Sequence, residues 1–530
     1  MKNLIIYLLN QIQTHSKILL IVVALLYVTG VAHGINMFNA PYYENDEGTY
    51  ISQAWSLLKE GKVAPYTYWY DHAPLGWILL ACWIKLTGGF YTFGTTIDSG
   101  RAFMLIIHML STLLVFAITR KLTKSIWAGA LASIVFSLSP LEIYHQRRVL
   151  LDNMMIFWVL TSLWLLMRRT IKVSAAYLSA LAFGVAVLTK ESALFFLPAF
   201  IYALFTQSHQ NNKRLVTISW LVIVTGLMST YFLYAAIKSE LLPSDGSPAH
   251  VSLLSTLMMQ LQRGEYRHFW DPLSDFYQRF LVWFEKDPVL MFIGIGSTII
   301  SSILAFKVKV LRIPVIATLF MWLFLLRGKI VLDFYILPLF PFWAINFAIL
   351  TKLFLEKLST KKSVVYNFGF AVIMLSLSSF FIIYSPQVQF FDETRPQREA
   401  ISWIKNNIPE DKHIVIDNSI FTDLREPRFE GDKVFLNAQL SSKIEEDPEI
   451  RYEKYGNDWK KFDYLVLSHD TLQSIKQEKL EMTDQVFYNS TIIADWWTPG
   501  KNYRDIQNLI STNGAWTSVY KVNIQKQTQR

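Results

Sequence analysis

Long runs of apolar residues are the feature that most constrains how this chain can fold. A bilayer core requires about 20 consecutive apolar residues for each helical crossing, and several runs reach that length. The runs cover roughly residues 18–36, 74–88, 100–119, 126–142, 151–167, 173–189, 191–206, 215–237, 287–306, 313–326, 334–351 and 363–385. Only 17% of the residues are charged, against roughly 25% in soluble domains. The sequence therefore predicts a protein that crosses the membrane many times.

The net charge of +9 is unevenly distributed along the chain. Residues 390–530 contain 19 Lys and Arg against 23 Asp and Glu, which leaves 31 basic and 18 acidic residues for positions 1–389. This basic excess falls in short loops, and the cytoplasmic loops of membrane proteins ordinarily carry an excess of Lys and Arg. The positive charge therefore needs no nucleic acid to explain it, and we expect the lipid bilayer as a partner and no nucleic acid. The single cysteine, Cys82, excludes an intramolecular disulfide and a cysteine-rich metal site.

The basic loops also predict a topology. If the N-terminus is cytoplasmic and the run 74–88 does not cross, six short segments lie inside and hold 17 basic residues against one acid, Glu356. These segments are 1–17, 120–125, 168–172, 207–214, 307–312 and 352–362. A crossing at 74–88 would turn every later basic loop outward, so we interpret it as an interfacial or re-entrant helix. No small-residue cleavage site follows the first run, which we interpret as a transmembrane helix and not a signal peptide.

The predicted fold class is an all-α polytopic membrane protein with about eleven transmembrane helices and a small exterior α/β domain. We divide the chain into a transmembrane domain, residues 1–389, and a soluble exterior domain, residues 390–530. The exterior loop 238–286 contains Trp270 and Trp283 and should form surface helices. In the soluble domain the patterns predict strands at 413–417, 463–467 and 518–522 and helices at 396–407 and 471–480. The protein is expected in the plasma (inner) membrane.

Four polar motifs fall at predicted exterior ends of membrane helices, where charge is costly and often functional. Asp46 and Glu47 open a short helix, in which acids also favour the first turn without any function. His72 precedes a proline that is typical of a helix start. Arg148 and Asp152 are four residues apart and would form a surface pair on a continuous helix. Arg327 and Lys329 would face outward, where anionic headgroups or a lipid-linked phosphate could bind them.

Together the motifs place an acidic pair and several cations at one membrane face. Transfer of a sugar from a lipid phosphate needs this combination, because a carboxylate can accept the proton of an attacking hydroxyl. Cations stabilise the negative charge that develops on the departing phosphate.

The ordered motifs NDEGTY, DHAPLGW, RRVLLDN, LTKESALFFLPA and RGKIVLDFYILPLFP resemble the protein O-mannosyltransferase and aminoarabinose-transferase group. These are glycosyltransferase family 39-like enzymes of the GT-C fold. The resemblance covers about residues 10–350. It implies eleven or more spans, two juxtamembrane helices in the first exterior loop (37–99), a polyprenyl-phosphate-sugar donor and inversion at the anomeric carbon.

The resemblance also implies roles for individual residues. Asp46 matches the catalytic carboxylate of the group and Glu47 its acidic partner. His72 and Pro74 match a His-Pro-Pro-type motif in which Ala73 replaces the first proline. Arg148 and Asp152 match the Arg-x-x-Leu-Leu-Asp motif of the group. Lys329 and Tyr335 approximate its late exterior loop, which contacts the carrier phosphate. The segment from 390 resembles the small α/β tail of bacterial relatives and not the sugar-binding domain of eukaryotic protein mannosyltransferases.

From these observations we predict a hexosyltransferase that moves a sugar such as mannose to an exterior glycan, lipid or protein hydroxyl. Asp46 would be the general base and Glu47 its support. The residues assigned to substrate and phosphate are His72, Arg148, Asp152, Arg327, Lys329 and Tyr335. We expect no obligate cofactor, because a phosphate leaving group needs no general acid and the cations can replace a metal, with a divalent ion as the alternative. The other readings are a lipid-linked sugar flippase or transporter and a non-enzymatic envelope assembly protein.

Overall fold

The computed structural model describes residues 2–167, 171–243, 251–358, 363–385, 390–468, 472, 480–498 and 516–523. Helices dominate the first three quarters of the chain, because the apolar runs satisfy their backbone hydrogen bonds internally, as a bilayer requires. These helices are α1 (Lys2–Gly34), α2 (Asn45–Lys59), α3 (Leu75–Thr87), α4 (Thr96–Thr123), α5 (Ile126–Leu138), α6 (Pro140–Gln146), α7 (Leu151–Leu166), α8 (Val173–Thr189), α9 (Leu197–Gln207), α10 (Lys213–Ile237), α11 (Leu253–Gln262), α12 (Asp275–Lys286), α13 (Pro288–Ala305), α14 (Arg312–Leu325), α15 (Phe340–Leu358) and α16 (Ser363–Tyr384). Short 3₁₀ segments at Glu191–Phe196 and Asp333–Leu339 lead into α9 and α15.

Multiple crossing of the membrane is confirmed in its coarser form. Within the described residues, six helices are long and apolar enough to cross a bilayer, and α5 with α6 adds a seventh if that bent pair is one span. The bend between α5 and α6 is 65°, because Ser139 caps α6 and Pro140 begins it. Shorter apolar helices occur at α3, α7, α8 and Glu191–Gln207.

Residues 37–99, the predicted first exterior loop, contain two helices, α2 and α3, and the loop 238–286 contains α11 and α12. The α3 helix is 13 residues long and ends at Gly88, whose φ of 103° suits glycine. At 1.5 Å per residue it spans about 20 Å, which is less than the roughly 30 Å of a bilayer core. In the second loop Trp270 is exposed, but Trp283 is fully buried and donates its indole N–H to the Asp333 carbonyl oxygen.

The C-terminal unit, residues 390–523 as described, is a five-stranded mixed sheet with helices. Its strands are β1 (Ile414–Ile416), β2 (Ala438–Leu440), β3 (Tyr464–Ser468), β4 (Ser490–Trp497) and β5 (Trp516–Val522). The order is β2-β1-β3-β5-β4, with β1 parallel to β2 and β3, and β5 antiparallel to β3 and β4. The helices are α17 (Arg395–Asn407), α18 (Asn418–Arg425), α19 (Ser441–Glu446) and α20 (Glu481–Tyr488). The small α/β unit is thus confirmed, whereas the predicted helix at 471–480 lies almost entirely outside the described residues.

The C-terminal unit packs directly on the first exterior loop. Ile51 of α2 and Phe421 of α18 belong to one hydrophobic cluster that also includes Trp77 of α3. The Trp55 ring meets the Phe421 ring edge-on, with centroids 6.1 Å apart. This shared core places the sheet beside the helix that begins with Asp46.

Candidate active site

The side chains of Glu44 and Glu47 cap the start of α2. Glu44 is the N-cap of α2, the residue just before Asn45. The Glu44 N–H donates to Glu47 Oε2 at 3.1 Å, as in a capping box. Asp46 therefore lies in the first turn of α2, next to the capping residues.

Glu47 is fully buried and bound to a residue that sequence analysis had not selected. The Arg101 guanidinium of α4 donates to both carboxylate oxygens, at 2.9 and 2.7 Å, and neither side chain is exposed to solvent. The Val149 N–H donates to the same carboxylate at 3.0 Å. A bidentate pair of this kind is geometrically strict, so Glu47 fixes α2 against α4 and against the connection that precedes α7.

Arg148 and Asp152 do not form the expected i, i+4 pair. Residues 147–150 separate α6 from α7, so the two side chains do not share a helix. Arg148 instead donates to Glu44 Oε2 at 2.7 Å, and its guanidinium carbon lies 4.8 Å from the centre of the Tyr42 ring. Asp152 accepts from Lys190 Nζ at 2.6 Å, with both side chains at most 5% exposed.

Lys190 connects this pair to the late exterior loop. Its ammonium lies 4.9 and 5.0 Å from the ring centres of Phe334 and Tyr335. Asp46 interacts electrostatically with both Lys190 and Tyr335. The structure therefore brings together four side chains from distant parts of the sequence, and three of them, Asp46, Asp152 and Tyr335, were predicted site residues.

His72 lies beside this group and is oriented by an acid. Its Nδ1 is 2.9 Å from Glu191 Oε2, and the Ala73 N–H donates to the other oxygen at 2.8 Å. Burial alone would lower the pKa of His72, but the Glu191 carboxylate reverses this effect and raises the pKa above its usual value. A protonated His72 would therefore offer Nε2–H as a donor while Nδ1–H is held by Glu191.

The two cations of the late loop have different surroundings. Arg327 donates to the carbonyl oxygens of Phe324 and Ile330, both at 2.6 Å, and its guanidinium carbon lies 5.6 Å from the Tyr335 ring centre. Lys329 is directed elsewhere and donates to the Gly264 carbonyl oxygen at 3.0 Å. Of these two predicted phosphate contacts, Arg327 is the one that adjoins Tyr335.

Several charged residues of the site had no role in the sequence analysis, among them Glu44, Glu191, Arg101, Lys190 and Asp333. Arg101 did carry a signal, since a charge inside an apolar run requires a buried partner. Asp333 accepts from Lys286 Nζ at 3.1 Å and so ties the late loop to α12. The partners of Lys190 and Asp333 are distant in sequence, and no spacing rule predicts them.

The arrangement suits nucleophilic substitution at a centre that carries a phosphate leaving group. Asp46 supplies a carboxylate and Lys190 a positive charge that interacts with it, and Arg148 is paired with Glu44, the N-cap of the same helix. Within the described parts of the chain, no group of three or more His, Cys, Asp and Glu side chains is placed to hold a metal ion.

Solved structures share the fold of the whole chain. ArnT from Cupriavidus metallidurans in the apo state superposes with a TM-score of 0.56 at 13% identity and covers 96% of this chain and 98% of its own. Archaeoglobus fulgidus AglB, solved with an inhibitory peptide and a dolichol-phosphate, gives a TM-score of 0.57 at 12% identity over 88% of this chain and 71% of its own. The same ArnT has been solved bound to undecaprenyl phosphate. The fold of this chain is therefore GT-C-like.

A comparison by sequence points in the same direction. Residues 71–234, less than half of the chain, match the family model described as dolichyl-phosphate-mannose-protein mannosyltransferase. The match confirms the resemblance found in the motifs. It includes His72, Arg148, Asp152 and Lys190 but begins after Asp46. No curated protein matches the whole sequence at a significant level.

Proposed function

We propose that this enzyme moves a hexose, with mannose as the first candidate, from polyprenyl phosphate to an exterior hydroxyl with inversion at the anomeric carbon. The observation that carries the proposal is the juxtaposition of Asp46 with the Lys190–Asp152 pair and Tyr335 at one end of the helical bundle. A base and a phosphate-binding cation side by side are what a single displacement requires.

In the proposed reaction Asp46 accepts the proton of the acceptor hydroxyl as its oxygen attacks the anomeric carbon. The bond between that carbon and the phosphate oxygen breaks, and polyprenyl phosphate leaves with the electron pair. Lys190 and Arg148 stabilise the charge that the phosphate gains, with Arg327 beside them. Lys329 stays a weaker candidate, because it donates to Gly264 in the loop. Asp152 holds Lys190 in place, and His72, fixed by Glu191, donates to the carrier phosphate.

The proposed topology has eleven crossings, a cytoplasmic N-terminus, and the site and the C-terminal unit outside the plasma membrane. It counts α14 and the shorter helices α7, α8 and Glu191–Gln207 as spans. This choice is supported by the position of Asp152 at the start of α7 and Lys190 just after α8, since these meet at the same end of the bundle.

We also propose that the reaction has no obligate metal. The cations near Asp46 would neutralise a single phosphate group, which carries less charge than a diphosphate. Turnover should therefore persist after dialysis against a chelator, and loss of activity that Mg²⁺ or Mn²⁺ restores would contradict this.

The decisive experiment supplies purified enzyme with a panel of polyprenyl-phosphate sugars and a membrane extract as acceptor. Mass spectrometry then identifies which lipid loses its sugar and which molecule gains it. We expect one hexosyl lipid to be consumed with release of polyprenyl phosphate. Consumption of none of them by folded wild-type protein would refute the proposal.

A transporter has one observation in its favour. His33 and His108 lie with ring centroids 3.9 Å apart, and Glu142 is 3.9 Å from His108, all buried within the bundle. Buried polar groups inside a helical bundle also occur at the binding sites of transporters. In sealed vesicles a transporter would move the intact lipid-linked sugar across the bilayer, whereas the proposed enzyme would cleave it on one side only.

A further inference from the structure

The beginning of α2 contacts the C-terminal unit on both sides of Asp46. We infer that the C-terminal unit fixes the position of Asp46 and that Asn418 is a positioning residue for transfer. The inference rests on the proposed role of Asp46 as the base. It gives the C-terminal unit a part in the chemical step.

Asn418 begins α18 and contacts two residues that flank Asp46. Its backbone N–H donates to Asn45 Oδ1 at 3.2 Å, and its side-chain Nδ2 donates to Thr49 Oγ1 at 2.6 Å. The Thr49 hydroxyl in turn donates to the Asn45 carbonyl oxygen at 3.0 Å. The three residues form a closed set of hydrogen bonds around the first turn of α2.

Gly48 shows how closely the two helices approach. A Cβ atom at this position would lie 2.0 Å from the Asn418 carbonyl oxygen and 2.5 Å from the Ser419 nitrogen. Both atoms belong to backbone, which cannot move aside as a flexible side chain can. The start of α2 therefore rests on the start of α18 with no room between them.

Gln397 holds the residues that lead into α2. Its Oε1 accepts from the Tyr43 N–H at 2.9 Å, and its Nε2 donates to the Tyr43 carbonyl oxygen at 2.7 Å. The same amide nitrogen donates to Ser419 Oγ at 3.1 Å. Gln397 is 3% exposed, so this contact forms a buried bridge between α17, α18 and the segment before Asp46.

Asp46 is thus fixed from two directions. The Glu47–Arg101 pair holds α2 to the membrane helices, and Asn418 with Gln397 holds it to the C-terminal unit. A general base must stay within hydrogen-bonding reach of the proton it removes. Since a displacement of 1 Å can cost about 100-fold in rate, loss of the second anchor should slow the chemical step without weakening donor binding.

The test compares Asn418→Ala with a control at the other end of α2. Trp55 Nε1 donates to Glu426 Oε2 at 2.9 Å, so Trp55→Phe removes a hydrogen bond to the same C-terminal unit. That bond lies nine residues from Asp46, about 14 Å along the helix. We expect Asn418→Ala to lower kcat about tenfold with an unchanged donor KM, and Trp55→Phe to leave kcat within about twofold.

Hydrogen exchange gives a readout that does not depend on turnover. Amide protons of residues 44–50 should exchange faster in Asn418→Ala than in wild type, and those in Trp55→Phe should not. Thr49→Val removes this hydrogen bond from the other side and also the one from the Thr49 hydroxyl to the Asn45 carbonyl oxygen. The double variant should therefore lose less kcat than the two single variants would if their effects were independent. Wild-type kcat in folded Asn418→Ala would overturn the inference.

The outcomes separate this inference from the proposed function. If Asp46→Asn abolishes transfer while Asn418→Ala does not reduce kcat, the base assignment stands and the positioning role fails. If wild-type protein consumes no polyprenyl-phosphate sugar, the proposed function fails, and hydrogen exchange still reports whether Asn418 orders the start of α2. Equal losses of kcat in Asn418→Ala and Trp55→Phe would show general loosening and would also overturn the positioning role.

Discussion

Two neighbouring acids at the start of α2 occupy different environments. Glu47 is committed to Arg101 and to the Val149 N–H, with no exposed surface. Asp46, one residue earlier, interacts electrostatically with Lys190 and Tyr335. Glu47 thus has a structural partner, whereas Asp46 adjoins the groups that would hold substrate. Substitutions of the two acids should therefore have different effects.

Asp46→Asn should abolish most transfer while leaving the fold intact. Asparagine is nearly isosteric and can still form hydrogen bonds, but it cannot accept a proton. A positioned base contributes typically about 100- to 10,000-fold, so we expect turnover to fall by about 100-fold or more. The measurement is turnover of detergent-purified protein, normalised to the folded fraction. Retention of more than about a tenth of wild-type turnover would remove Asp46 from the role of base.

Glu47→Gln should act through stability. The substitution leaves the buried Arg101 charge without its partner, which costs about 3–5 kcal/mol in comparable pairs. We expect a lower thermal unfolding midpoint and less folded protein, but turnover per folded molecule closer to wild type than in Asp46→Asn. The control is Glu47→Gln with Arg101→Gln, which removes both charges and should recover part of the midpoint. A double variant less stable than Glu47→Gln would argue against this account.

At the scale of elements, α3 is the helix whose length decides the topology. Its 13 residues form a helix too short for a simple crossing, and it packs against the exterior loop helix α2 in one hydrophobic cluster. If the N-terminus is cytoplasmic and α3 does not cross, the loop before α4 lies outside the membrane and the loop after α4 lies inside.

Cysteine labelling tests this arrangement. We expect Thr92→Cys to react with an impermeant maleimide from outside and Leu122→Cys only after the cells are opened, both in a Cys82→Ala background. That background is needed because Cys82 is exposed in the structure. Labelling of position 92 from the cytoplasm would refute the eleven-span topology.

The elements show what the sequence could predict. Apolar length located the membrane helices, and strands β1, β3 and β5 appeared as runs of β-branched and aromatic residues. The strand β2 was missed because its three residues, Ala438–Leu440, include no β-branched or aromatic side chain. The strand β4 was missed because its side chains are exposed or half-buried and show no clear alternation. In the site, motif order located Asp46, but the ion pair of Lys190 with Asp152 joins residues 38 positions apart, and only tertiary structure reveals it.

At the scale of the whole molecule, one buried carboxyl joins the C-terminal unit to the membrane helices. Asp423 accepts hydrogen bonds from the Thr96 N–H at 3.2 Å and its hydroxyl at 2.7 Å, at the start of α4. Burial raises the pKa of Asp423 to about 6, although the Thr96 hydrogen bonds oppose the shift. An unfolded Asp has a pKa near 3.9, so the folded state binds an extra proton between about pH 4 and 6.

The sign of this linkage predicts a gain in stability on mild acidification. Because the folded state holds the proton more tightly, the contribution of Asp423 rises as pH falls through about 6, by on the order of 2 kcal/mol. Asp423→Asn is neutral at every pH and should lack this contribution. When the pH is lowered from 7.5 to 5, the thermal unfolding midpoint of wild type should rise relative to that of Asp423→Asn. A pH-independent difference would contradict the assignment.

The side of the membrane on which the C-terminal unit lies can be tested separately. A reporter fused after Arg530 that is active only outside the cytoplasm should be active in the proposed topology. Activity confined to a cytoplasmic reporter would place both the sheet and Asp46 inside, since α2 and α18 pack together.

The contact between Gly48 and Asn418 has a consequence for building chimaeras. A C-terminal unit taken from a distant relative would place a different backbone surface against Gly48. At Gly48 there is no room for an added atom on the side that faces Asn418. Such a chimaera should be active only when residues 42–49 come from the same relative as the C-terminal unit, because the two surfaces must be complementary. Chimaeras of this protein should therefore be designed with the predicted first exterior loop included in the exchange, and not with a single junction at residue 390, where the C-terminal unit begins.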